Sequence, residues 1–334
     1  MTKKTSTRNS PIGIDEILRV EIKEDPPILI NGVLPTGGGL ILGGESEVGK
    51  SLMRVEWSVL LACGLPIYGM KTPHAQTVLV FQTENTIKIE QFRTRKIMQG
   101  YGIESCHNRI FYARSFRKPS LLSNEFLNHA EQQINDSGAT VVWWDPLVSF
   151  HNRNENDNVA MRNVLDCISY LNRKTGAASI VIHHFGQPSA QKKDEIPLRY
   201  RLRGASAIRD WADTIVTLRA TGKAKNPGPG RMLDYIKIRN GPQRRPVYLE
   251  RDSNFVHHLT SDQRKASPLF IVDLIKRHGD NNGYRGSQNE LCRLIQDAAD
   301  CSRKLAQDGI KEALDIGYIS ENVVDGIKCW RARL

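Results

Sequence analysis

Short apolar runs alternate with stretches of helical periodicity along the first half of the chain. Gly39–Gly44 (GLILGG) reads as a buried strand entering a glycine-rich turn, and an apolar helix follows from Ser51 to Cys63. Thr77–Gln82 (TVLVFQ), Arg109–Arg114 (RIFYAR), Thr140–Asp145 (TVVWWD) and Ala178–His184 (ASIVIHH) read as four further strands. Between them Thr86–Tyr101, Leu122–Asn135 and Val159–Arg173 carry helical patterns. The first has apolar Ile87, Ile89, Phe92 and Ile97; the last has Met161, Leu165, Ile168 and Leu171 at helical spacing. Strands that alternate with helices predict an α/β fold, a mostly parallel twisted sheet flanked by helices.

After His184 the rhythm changes. Residues 186–202 are polar and broken by proline, which predicts a loop. Four apolar runs follow without long helices between them: 214–220, 232–239, 246–250 and 254–259. They predict an antiparallel extension of the sheet, with residues 223–231 as a turn-rich connector. Residues 260–266 read as a linker. Beyond it Ser267–Arg277 and Ser302–Asp315 are helical, and Ser287–Glu290 is a capping box opening a third helix. Asp325-Gly326 marks a closing hairpin. Three helices and a hairpin resemble a small winged helix. The expected organisation is a flexible segment 1–26, an α/β domain 27–259, the linker 260–266 and a winged-helix-like domain 267–334.

Composition narrows the class. With 40% hydrophobic and 25% charged residues the chain looks like an ordinary soluble protein. No apolar run approaches the roughly 20 residues of a membrane span, and the N-terminal residues lack a secretory signal. The six cysteines are scattered, without a CxxC pair, which fits reduced thiols in a cytoplasmic protein. Lys and Arg outnumber Asp and Glu by 47 to 36, a net charge of +11. Between Lys192 and Arg251 there are 15 basic against 6 acidic residues, so most of the excess sits in sixty residues. Such a stretch attracts polyanions, or simply keeps the surface solvated.

The chemistry begins at Gly44-Glu45-Ser46-Glu47-Val48-Gly49-Lys50-Ser51, which matches GxxxxGK[ST] between a strand and a helix. Its glycines let backbone N–H groups wrap a phosphate, and the helix that continues through Leu52 adds its positive end. This predicts an ATP site, with Lys50 on the β- and γ-phosphates and Ser51 on Mg²⁺. Glu45 and Glu47 must then point away. Asp145, ending an apolar strand, is the second group expected on the metal side. Glu84, just past the TVLVFQ strand, is placed to orient a water for hydrolysis; its plainer reading is a charge at a helix N-terminus. His183 and His184 face opposite ways on their strand, so one can meet the γ-phosphate and the other must pack elsewhere. Lys237 and Arg239 share one face of a strand that Asn240-Gly-Pro ends. Two exposed edge cations would also protect that strand from aggregation.

In this order the motifs resemble the RecA-like P-loop ATPases of the hexameric helicase branch, the RepA-type plasmid helicases and DnaB-type replicative helicases, over roughly Pro27 to Leu259. The quoted segments are ILINGVLPTGGGLILGGESEVGKS, VVWWDPLVSF, IVIHHFGQ and RGASA followed by WADTIVTLR. The resemblance implies a homo-oligomer, a hexameric ring, with ATP bound between subunits. It makes Glu84 the catalytic carboxylate, Asp145 a support for Mg²⁺ and His184 or His183 the γ-phosphate sensor. It sends Lys237 and Arg239 across the subunit boundary to a neighbour's nucleotide. It also turns the 186–203 loop toward single-stranded DNA, through Lys192, Lys193, Arg199 and Arg201 around Tyr200; Arg203 either joins them or braces the ATP site. The expected activity is that of a DNA helicase or translocase in the replication of a plasmid, phage or mobile element. Two alternatives stay open: a RecA-like ATPase of repair or recombination, and a nucleotide-switched regulator that reads duplex DNA. The C-terminal unit, with Arg303, Lys304 and Lys311, suits duplex DNA or a protein equally.

Overall fold

The computed structural model describes residues 13–19, 27–29, 32–184, 206–221, 229–260, 268–280, 283–299, 301–315, 317–324 and 326–333. β1 (Gly39–Gly44), β2 (Val78–Gln82), β3 (Ile110–Tyr112), β4 (Val141–Asp145), β5 (Ala178–His184) and β6 (Thr214–Ala220) run parallel. β7 (Gly230–Ile238), β8 (Val247–Arg251) and β9 (His257–Leu259) extend the same sheet antiparallel. The strand order is β3-β2-β4-β5-β1-β6-β7-β8-β9. The parallel sheet and its antiparallel extension are thus as the hydrophobic pattern predicts.

Alternation along the central strands feeds two cores. Leu40, Leu42, Val78, Val80, Trp143, Ile180 and Ile182 face α2 (Lys50–Ala62), meeting its Met53, Trp57 and Leu61. Ile41, Leu79, Phe81, Val142, Trp144 and Val181 face the other way, onto α4 (Asn124–Ser137) and α5 (Asn158–Thr175). Met161, Leu165, Ile168 and Leu171 of α5 are all buried there.

Some local expectations are corrected. In α3 (Ile87–Tyr101) only Glu90 and Ile97 are buried, while Ile87, Ile89 and Phe92 are exposed. The helix turns toward α2 through Ile97, which packs with Leu52, Val55 and Val59, and a charged residue occupies its other inward position. The last strand of the large sheet begins at His257 rather than Asn254. Asp252 Oδ1 accepts from the amides of Asn254 and Val256, and Phe255 takes a positive φ of 64°, so residues 252–256 form a turn. A short helix, α6 (Ser206–Trp211), also precedes β6.

Gly32, with φ +69°, packs directly on the Asn240-Gly241 backbone; a Cβ there would lie 2.1 Å from the Asn240 carbonyl oxygen. The turn that ends β7 is therefore seated against the segment before β1. Further along, α7 (Pro268–His278), α8 (Gln288–Ala299) and α9 (Arg303–Asp315) enclose a separate core around buried Trp330. Beside them β10 (Tyr284–Arg285), β11 (Ile319–Val324) and β12 (Ile327–Ala332) form a three-stranded sheet; β10 has no counterpart in the sequence reading. The capping box closes as expected: the Ser287 amide donates to Glu290 Oε2 at 2.6 Å and the Glu290 amide donates to Ser287 Oγ at 3.3 Å.

Candidate active site

The site forms at the carboxyl edge of the parallel sheet, where β1, β2, β4 and β5 end together. Gly44 leaves the sheet against β6, and a Cβ there would stand 2.6 Å from the Leu218 carbonyl oxygen. Glu45, Ser46 and Glu47 are exposed, and Val48 is buried. Gly49 caps α2 with φ 105°, and α2 has neither a side-chain cap nor an acid in its first turn. Its first amides and the positive end of its dipole are thus not answered by the helix's own side chains, as an anion site requires.

Lys50 folds back over this loop. Its Nζ donates to the carbonyls of Gly44 at 3.0 Å and Glu45 at 2.7 Å, and lies 3.3 Å from His184 Nδ1. Burial pushes the amine down to about 8, against the pull of the Asp145, Glu84 and Glu45 carboxylates. Asp145, buried at the end of β4, accepts from Ser51 Oγ at 3.2 Å through Oδ1. Two protein oxygens beside a phosphate loop suit Mg²⁺, which completes its shell from substrate phosphates and water. Among the described residues no group of three or more His, Cys, Asp and Glu could hold a metal unaided, so the ion would arrive with the nucleotide. Glu84 is exposed at the same edge. The helix-capping role belongs to Thr86, whose hydroxyl accepts from the Ile89 amide at 3.4 Å.

The two histidines divide. His184 turns to Lys50. His183, buried, turns away, with Nδ1 3.6 Å from Glu155 Oε1, itself 4.0 Å from His151 Nε2. Burial lowers the His151 pKa, and Glu155 opposes that shift.

Lys237 and Arg239 lie at the opposite edge of the sheet. Lys237 pairs with Ile215 at the start of β6, whereas Gly44 pairs with Leu218 near its end. Three strand residues span about 10 Å, and the phosphate loop extends further still, so neither cation serves its own chain's loop. Both grip the end of α6. Lys237 Nζ donates to the Arg209 carbonyl at 2.8 Å, Arg239 Nη2 donates to the Asp210 carbonyl at 2.6 Å, and Arg239 Nη1 lies 3.3 Å from Asp213 Oδ1. Lys192, Lys193, Arg199, Arg201 and Arg203 lie outside the described residues.

Several polar residues of the site have no place in the sequence reading. Arg54, fully buried, donates from Nε to Asp145 Oδ2 at 2.8 Å and from Nη2 to Glu90 Oε1 at 2.6 Å. Tyr112 donates to the other Glu90 oxygen at 2.8 Å. Burial opposes the Arg54 charge, but Asp145 and Glu90 outweigh it and hold the guanidinium protonated. Glu56 is buried too. It accepts from the hydroxyls of Tyr68 and Tyr101, both at 2.7 Å, and from the His257 amide at 2.9 Å; His257 Nδ1 lies 2.5 Å from its other oxygen. Arg231 Nε donates to the Val48 carbonyl at 2.8 Å, and Arg251 approaches Gly49. The available signal was two charges inside the otherwise apolar run LMRVEWSVLLA, the sequence of a helix that is buried nearly all round.

A family model described as an AAA domain matches residues 16–190. Among solved structures, the ATPase domain of a DnaB-like helicase is similar at 13% identity and a TM-score of 0.50, covering 68% of this chain and 86% of that one. No curated protein matches the chain. The similarity extends to the fold, a RecA-like P-loop ATPase core.

Proposed function

The chain belongs to the AAA domain family, and we propose that it is a ring-forming, ATP-hydrolysing motor that moves on single-stranded DNA. The observation that carries this reading is the convergence on one sheet edge of an uncapped helix N-terminus, Lys50, the Ser51–Asp145 pair, His184 and the exposed Glu84. Lys50 would release the Gly44 and Glu45 carbonyls and take the β- and γ-phosphates. Ser51 and Asp145 would hold Mg²⁺, which neutralises phosphate charge when bound. Glu84 would orient the attacking water, and His184, in contact with Lys50, would report the γ-phosphate.

The ring follows from what the chain's own site lacks. Lys237 and Arg239 sit together at the far edge, where an adjacent copy's nucleotide can reach them. In the free chain they cap α6, so acting in trans exchanges carbonyl partners for phosphate oxygens. Residues 186–203 would carry the DNA contact through Lys192, Lys193, Arg199 and Arg201. Residues 27–259 would form the motor, joined by 260–266 to a winged-helix-like unit, and the work would be replication of a mobile element in the cytoplasm. Among the described residues no helix is long and apolar enough to cross a membrane.

A second reading, a nucleotide-switched regulator of duplex DNA, is favoured by one observation: Arg303, Lys304 and Lys311 are exposed on α9. ATP-dependent strand displacement on forked DNA separates the two. The motor predicts displacement that Lys50→Ala abolishes. Tight duplex binding without displacement would sink the motor reading and support the regulator. Closed rings in electron micrographs with ATP and DNA separate it from a filament-forming recombination ATPase.

A further inference from the structure

We propose that Arg54 is a positioning residue that fixes how Asp145 meets the metal and ties that geometry to the element carrying Glu84. This rests on reading Asp145 as the metal-side carboxylate. The two Asp145 oxygens have separate partners: Oδ1 takes the Ser51 hydroxyl at 3.2 Å and Oδ2 takes Arg54 Nε at 2.8 Å. The carboxylate therefore cannot rotate without breaking a charge-assisted bond in a fully buried setting. Only Oδ1 is left facing Ser51 and the phosphate loop. The other arm of Arg54 reaches Glu90 in the first turn of α3, six residues beyond Glu84, and Glu90 is held in turn by Tyr112 of β3. One guanidinium thus spans the end of β4, the start of α3 and, through Glu90, an edge strand. Lysine, a single-point donor, cannot span both carboxylates.

A purely structural arginine would be expected to bridge helices. This one instead claims an oxygen of a carboxylate that also bonds the phosphate-loop serine. Arg54 also offsets the Asp145 charge, which disfavours direct capture of the cation and leaves Asp145 to act through Ser51 and bound water. Groups that orient metal ligands in this way typically contribute 10–100-fold to metal affinity.

The test is the ratio of affinities for a fluorescent, non-hydrolysable ATP analogue with Mg²⁺ and with EDTA. Arg54→Met combined with Glu90→Gln removes the ion pair without stranding a second buried carboxylate. We expect its Mg²⁺-dependent gain in affinity to fall about tenfold or more, while affinity in EDTA stays within about twofold of wild type. Arg54→Lys keeps a buried cation and is the arm to read if the double variant does not fold. It is expected to show a smaller fall in the same direction. An unchanged ratio in a variant with wild-type circular dichroism and melting overturns the proposal, as does equal loss with and without Mg²⁺, the mark of a merely structural role. Asp145→Asn separates the two levels. If it too leaves the ratio unchanged, the reading of Asp145 fails and takes this proposal with it. If it collapses the ratio while the Arg54 variants do not, only the role of Arg54 fails.

Discussion

Nucleotide binding should take up a proton on Lys50, and the size of the effect follows from its surroundings. A free lysine titrates near 10.4. In the nucleotide-free chain burial brings Lys50 down to about 8, its charge only partly supported by Asp145, Glu84 and Glu45. Phosphate oxygens replacing the Gly44 and Glu45 carbonyls would restore a pKa at or above the ordinary value. The complex then binds more protons than the free chain between about pH 8 and 10.4, so affinity falls as pH rises through that window. The limiting loss is ~10²-fold, approached at about one decade per pH unit. At pH 8 the free site is about half protonated, so binding takes up about half a proton, rising to about nine-tenths at pH 9. Titration calorimetry in two buffers of different ionisation enthalpy measures this uptake directly. Lys50→Ala should abolish it together with most of the affinity. Absence of uptake at pH 9 in the wild type, or equal uptake in Lys50→Ala, would refute the placement of Lys50 as the phosphate ligand.

Removing the Glu56 carboxylate with Glu56→Ala strands His257, Tyr68 and Tyr101 as buried donors, and urea unfolding should report a loss of about 3–5 kcal/mol. The same cluster predicts alkaline sensitivity. Burial and Glu56 raise the Tyr68 and Tyr101 pKa values, so only the unfolded chain ionises near pH 10 and stability falls above it; a flat unfolding free energy from pH 9 to 11 would contradict the network. Gly32→Ala forces a Cβ into the Asn240 carbonyl at positive φ, and should lower the melting temperature while leaving the Lys50 site intact, read as unchanged ATP-analogue affinity per folded molecule. Arg239→Ala breaks only a half-exposed contact, so stability should change by under about 1 kcal/mol. ATP hydrolysis should nevertheless collapse at protein concentrations where the wild type is cooperative, and a fully active variant would rule out a finger in trans.

The contrast between what periodicity foretold and what it missed has a physical origin. A parallel strand buried on both faces must be apolar along its length, and β1, β4 and β5 announce themselves that way. The phosphate loop is equally legible because backbone wrapping demands glycine at fixed spacing, and the ends of β4 and β5 bring Asp145 and His184 to it through register alone. Buried charge behaves differently. Arg54 and Glu90 are 36 residues apart, and Glu56 and His257 are 201 apart; in a linear sequence each looks like a solvated surface group, since the partner that makes its burial tolerable lies elsewhere. The same blindness works in reverse on α3, where Ile87, Ile89 and Phe92 fit a helical pattern yet stay exposed while Glu90 goes inside. These errors are coupled. The inward position of α3 is polar because Arg54 needs a second carboxylate, and Arg54 is there because Asp145 needs an oxygen held. Local periodicity therefore fails at the place where the chain departs from apolar packing to build its site, and a charged residue embedded in a buried helix next to a phosphate loop is itself a signal of where that site extends.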